Sequence, residues 1–284
     1  MLRLSVLGPL GFCLAALFGS ALSAAPLDPA SFTSLGTMNL AAGTYTVNSS
    51  AMTLTGPGAN FTGVASGNIC VFCFASITIQ TGAIVNCSGT RTVAFLSQST
   101  VSISGLINGD GGDAQVGFTS FTPAGGPGGG AGGLAGNPGV PVANGAGGGT
   151  GGGSPASGSG GAGGGGFGSA GSRGGDSTIT TDLGQPGGIA YGNLATLLEG
   201  GSGGGGGEYT GGGGGGGGIE VGATGNIDIA SAGIVSADGG DGEVANYGAS
   251  GGGSGGGIYV HTAGALTLAG TIRVRGGGGG KGGC

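Results

Sequence analysis

Glycine occupies 84 of the 284 positions, and it is concentrated rather than spread. Between residues 124 and 218 about half the positions are glycine, closing in the unbroken run 211–218. Such a stretch has almost no side chains to bury, and glycine loses more backbone freedom on ordering than any other residue. If ordered, it must be held by backbone contacts. The segments on either side differ. They alternate β-branched with polar residues, as in Thr44-Tyr45-Thr46-Val47, Ile77-Thr78-Ile79 and Val101-Ser102-Ile103. Period-two alternation of this kind reads as short strands. Composition thus divides the chain into a strand-forming frame and a glycine-rich insert.

Only 6% of residues are charged and 5% aromatic, with no Trp. That leaves too few large apolar side chains for a conventional core, yet too little charge for acidic disorder. A net charge of −6 argues against nucleic acid, which needs clustered cations to neutralise phosphates. Arg273, Arg275 and Lys281 are the one loose cationic group.

Residues 1–24 read as a secretory signal: Arg3, an apolar run over 4–17, then small residues at Ser20, Ala21, Ser23, Ala24 and Ala25, with cleavage at or near Ser23. The apolar run is shorter than the roughly 20 residues a membrane span needs. The expectation is a secreted or cell-surface chain without a membrane span after cleavage. Cys13 would leave with the signal, and Cys70, Cys73, Cys87 and Cys284 would remain. An even number in an exported chain suggests disulfides. Cys70 and Cys73 form a C-x-x-C with no His nearby, inside the apolar run 69–74, which reads as a structural bridge or buried thiols rather than a metal or redox site.

The frame repeats. Ile219-Glu220-Val221 is followed eight residues on by Ile227-Asp228-Ile229 and then Gly233-Ile234-Val235. Ile258-Tyr259-Val260 is followed by Leu266-Thr267-Leu268 and Thr271-Ile272-Arg273, with the first two strands offset by 39 residues. Val93-Ala94-Phe95, Val101-Ser102-Ile103 and Leu106-Ile107 form an earlier copy. Three short strands per copy predict an all-β fold, a right-handed parallel β-helix in which successive coils stack to make one core. The expected organisation is a signal at 1–24, N-terminal coils at 25–107, a glycine-rich insert at 108–218 and C-terminal coils at 219–284. The insert is either a flexible loop or a bundle of polyglycine-II-like segments, with three residues per turn and no internal hydrogen bonds. Residues 194–199 are the one helix candidate.

The segments Gly216-Gly217-Gly218-Ile219-Glu220-Val221 with Gly225-Asn226-Ile227-Asp228-Ile229, and Gly255-Gly256-Gly257-Ile258-Tyr259-Val260 with Leu266-Thr267-Leu268, resemble secreted glycine-rich β-helix proteins of bacterial surfaces and filamentous-haemagglutinin-like adhesins. The glycine runs also resemble those of phage tail adhesins and of the glycine-rich domain of certain receptor kinases. The resemblance covers most of residues 32–284. It implies an exported surface or matrix protein with a structural or adhesive role, no catalysis and no cofactor. The implied partner is a cell-surface or matrix component, glycans among them.

Polar motifs are few. His261, the single histidine, is expected as an ordinary surface residue. Asp110-Gly111-Gly112-Asp113 recurs as Asp238-Gly239-Gly240-Asp241 after the third strand of a copy, while the last copy has Arg275-Gly276 instead. Asp is a common turn former, and carboxylates on a tight turn are also calcium ligands. Asp110, Asp113, Asp238 and Asp241 are therefore the candidate metal residues. The rival functions are an ice- or glycan-binding module, resting on sparse Thr spacing such as residues 178–181, and a β-helix carbohydrate enzyme.

Overall fold

The computed structural model describes residues 26–115, 122–134, 160–176, 181–194, 196–207, 210–245 and 248–281. The signal-peptide reading of residues 1–24, Cys13, Cys284 and residues 178–180 lie outside the described residues.

Among the described residues the chain is nearly all-β, with helix confined to one 3-10 turn, Pro29–Ser31, capped by Asp28. The strands are β1 (Thr37–Leu40), β2 (Gly43–Asn48), β3 (Thr53–Gly56), β4 (Ala59–Thr62), β5 (Val64–Ser66), β6 (Ile69–Phe74), β7 (Ser76–Ile79) and β8 (Ala83–Ser88). They continue as β9 (Thr92–Ser97), β10 (Val101–Ile103), β11 (Leu106–Asn108), β12 (Gly218–Ala223), β13 (Ile227–Ile229), β14 (Ile234–Ser236), β15 (Gly257–Thr262), β16 (Leu266–Leu268) and β17 (Thr271–Arg273).

Three sheets result, ordered β1-β7-β10-β13-β16, β17-β14-β11-β8-β2-β3-β4 and β15-β12-β9-β6-β5. From β6 onward the chain visits the third, first and second sheet in turn, four times, and each visit adds one strand beside the last. Every pairing between successive visits is parallel. The antiparallel pairs β2–β3, β3–β4 and β5–β6 all lie at the N-terminal end.

Register places like on like. Ile77, Val101, Ile227 and Leu266 form one column, and Ile79, Ile103, Ile229 and Leu268 the next. Val85, Ile107, Val235 and Ile272 line the second sheet, and Phe72, Phe95, Val221 and Val260 the third. Most of these side chains are fully buried in one core between the sheets, each contributing about 1.5–3 kcal/mol by leaving water. Leu266 and Leu268, on the last visit, are about half exposed because no further strand covers them. At the opposite end Phe61 of β4 packs edge-on against Phe74, ring centroids 5.0 Å apart.

In the third sheet β6, β9 and β12 are buried on both faces. Outside it, Ile69, Val71, Cys73, Ala94 and Leu96 pack under Leu27, Phe32, Leu194 and Leu198. Among the described residues of 194–199 no helix forms. Thr196 and Leu197 both donate to the Asn193 carbonyl, forming a single turn that sets Leu194 and Leu198 onto this face. Tertiary packing of two leucines outweighs the weak local helix preference of so short a segment.

The glycine segments are joined by backbone hydrogen bonds rather than by side chains. Around the run that leads into β12, the amides of Gly212, Gly215 and Gly218 donate to Gly133, Gly130 and Pro127. Those of Gly213 and Gly216 donate to Gly251 and Ser254, and those of Gly214 and Gly217 to Gly112 and Gly109. Each neighbour is thus met at every third residue. Further segments donate in return: Gly201 and Gly204 to Gly216 and Gly213, and Gly240 to Gly214. A Cβ at most of these glycines would collide with a neighbouring backbone. Absence of side chains is the condition for this packing, which answers why the composition is what it is.

Candidate functional site

The Asp-Gly-Gly-Asp motifs lie side by side. Asp110 follows β11 and Asp238 follows β14, adjacent strands of the second sheet. Asp110 Oδ1 accepts from the Asp238 amide at 2.7 Å, and Asp113 Oδ1 from the Asp241 amide at 2.9 Å. One round further, Asp238 Oδ1 accepts from the Arg275 amide at 2.8 Å and Asp241 Oδ1 from the Gly278 amide at 2.7 Å. The three-residue spacing of the motif matches the three-residue period of the glycine segments, so both carboxylates of a motif reach the next round. Arg273 closes the ladder, with Nε 2.8 Å from Asp238 Oδ2 and a terminal nitrogen 3.4 Å from Asp110 Oδ2. Ser236 also donates to Asp110 Oδ1.

The four candidate calcium residues are therefore engaged with backbone amides, and a guanidinium supplies positive charge beside two of them. No group of three or more His, Cys, Asp or Glu side chains among the described residues is placed to hold a metal. A hydrogen bond to a charged group is worth about 1.5–3 kcal/mol. Asp238→Ala should lower unfolding free energy by about 2–3 kcal/mol in urea, while added calcium should leave the melting temperature of the unaltered protein where it was. A calcium-dependent rise would mean that the ladder carboxylates also serve an ion.

His261 does not behave as the ordinary surface residue that its position suggested. Its side chain is 20% exposed, and its Nε2 lies 2.8 Å from Oε1 of Glu220, whose side chain is fully buried. The same Oε1 accepts from the Leu27 amide at 2.6 Å, and Oε2 has no partner. His261 sits on β15 opposite Gly222 of β12. A Cβ on Gly222 would collide with the imidazole, so glycine there opens the path to Glu220. The Tyr259 ring flanks His261, centroids 5.5 Å apart. Nothing local marks Glu220. The available signal was an acid at a position whose register partners are Ala94 and Tyr259, on a strand otherwise buried throughout.

Cys70, Cys73 and Cys87 are buried free thiols. On a strand, residues three apart point to opposite faces. Cys70 accordingly faces the core between the sheets and Cys73 the outer cluster, so the C-x-x-C does not bridge. Burial pushes the Cys70 thiol up to about 11 and raises Cys73 and Cys87 as well, which leaves all three protonated and inert near neutrality.

The remaining feature is a groove of about 590 Å³ in the glycine region, lined by parts of 161–175, 249–256 and 274–280 with Phe167 and Leu194. Arg173 is the one charged residue in its lining, and it pairs with Asp176. No helix among the described residues is long and apolar enough to cross a membrane. No family model matches the chain, and no curated protein or solved structure does.

Proposed function

We propose that the chain is an exported structural or adhesive protein of the cell surface or matrix. Its body is a right-handed parallel β-helix, and its glycine segments form a polyglycine-II array carried on that body. The cyclic order of strands among three sheets and the three-residue hydrogen-bond period support these two assignments. The observation that carries the functional reading is where the polar groups go. The paired motif carboxylates and the Glu220–His261 pair are used inside the molecule, whereas the groove offers mostly backbone and small side chains with Phe167 and Leu194, its one charged residue, Arg173, being paired with Asp176. That arrangement suits contact over a surface rather than acid–base chemistry, which needs a titratable group facing substrate.

Protease shaving of intact source cells, with antibody detection in cell and medium fractions, tests it. A cell-associated signal lost on shaving is the expected result. A signal that stays with the cells and resists protease until they are lysed would sink the surface assignment.

A further inference from the structure

Amide rows without an acceptor among the described residues occur elsewhere in the glycine array, as at Gly200, Gly203 and Gly206, but at the groove three of them converge, and the convergence points to what the groove takes. In the run 212–218 every amide donates to a neighbouring segment. At the groove, amides at a spacing of three have no acceptor among the described residues: Ser172 and Gly175, Gly252 and Gly255, Gly276 and Gly279. Three separate segments each bring one such row to the same groove. With three residues per turn, residues three apart share a face, so each row is one face of an extended segment.

The glycines themselves differ in the same place. A Cβ on Gly175 or Gly279 would meet nothing within 4 Å, and one on Gly276 only the Gly253 carbonyl oxygen at 3.8 Å. None of the three has a left-handed backbone. Neither local conformation nor packing within this chain requires glycine there, although nearly everywhere else in the array packing does.

We propose that the groove binds an extended, uncharged, glycine-rich segment of a partner polypeptide, which lies along it at backbone-contact distance and accepts hydrogen bonds from the three rows. The groove's lack of free charge fits a neutral chain, and glycine at its rim leaves the space that close backbone approach needs. This deepens the adhesive reading above by naming the partner class for the contact surface.

The test uses the full chain and a fluorescent, end-blocked twelve-residue peptide of Gly-Gly-Ser repeats, followed by anisotropy. An Ala-Ala-Ser peptide of equal length is the control. Saturable binding of the first peptide and at least tenfold weaker binding of the second are expected. Gly175→Val and Gly279→Val should keep the circular dichroism and melting temperature of the unaltered protein, because the added Cβ meets no atom, while reducing peptide affinity at least tenfold. The proposal is overturned if the folded protein shows no saturable binding, if both variants bind as well as the unaltered protein, or if the alanine peptide binds equally. Competition by a neutral oligosaccharide but not by unlabelled peptide would overturn it in favour of a glycan. Any of these results leaves the surface assignment standing, since shaving reads that independently.

Discussion

Gly213→Ala should destabilise the protein by at least about 3 kcal/mol, although it adds a single methyl group. An added Cβ there would collide with the Gly240 carbonyl and approach the Gly253 amide at 2.9 Å. Both obstacles are backbone and cannot swing aside as a side chain end would. Overpacking alone costs about 1–3 kcal/mol. Separating the segments also weakens the bonds from Gly213 to Gly251 and from Gly204 to Gly213, each worth about 1 kcal/mol. In a chain of this size the melting temperature should fall on the order of 10 °C. Gly279→Ala is the matched comparison. With open space around its Cβ, it should be neutral or stabilise by about 0.4–1 kcal/mol through the unfolded chain. Equal losses at the two positions, measured by urea denaturation, would show that the glycine segments are not packed as described.

His261→Ala should cost about 1–3 kcal/mol, the penalty for leaving a buried acceptor without its partner. Glu220 would keep only the Leu27 amide for two carboxyl oxygens, both buried. The loss should appear first in the outer layer of the third sheet, where Glu220 ties Leu27 to β12. Hydrogen exchange at the amides of residues 27–35 would therefore accelerate more than that of β7 or β10. Glu220→Met combined with His261→Ala should recover only part of the stability, since the apolar side chain removes the stranded carboxyl group but leaves the Leu27 amide without its acceptor. If the single variant is as stable as the unaltered protein, the pair contributes nothing and the burial of Glu220 needs another account.

Much of the frame was readable from alternation and spacing. A 39-residue offset aligns Ile219 with Ile258 and Ile227 with Leu266, and the same residues pair in register between β12 and β15 and between β13 and β16. Period-two alternation fixes which side chains share a face, and a core built by repetition leaves that signal undiluted. The recurrence of Asp-Gly-Gly-Asp was visible too, but not that each carboxylate would take an amide of the following round. That depends on residues 128 positions apart meeting across the whole glycine insert.

Other features had no local mark. The antiparallel strands β3, β4 and β5 belong to no repeat. The helix candidate at 194–199 stops at a single turn that lays Leu194 and Leu198 on the third sheet. His261 acquired a role only because Gly222 stands beside it and Glu220 lies one strand in. Sequence alone determined that this chain would be strands and glycine, since alternation and the absence of side chains are local properties. Which glycine segments lie beside one another, which amides they share and which rows stay open were decided only by the tertiary structure. A glycine backbone is the same at every position, and only its neighbours in space distinguish one from another.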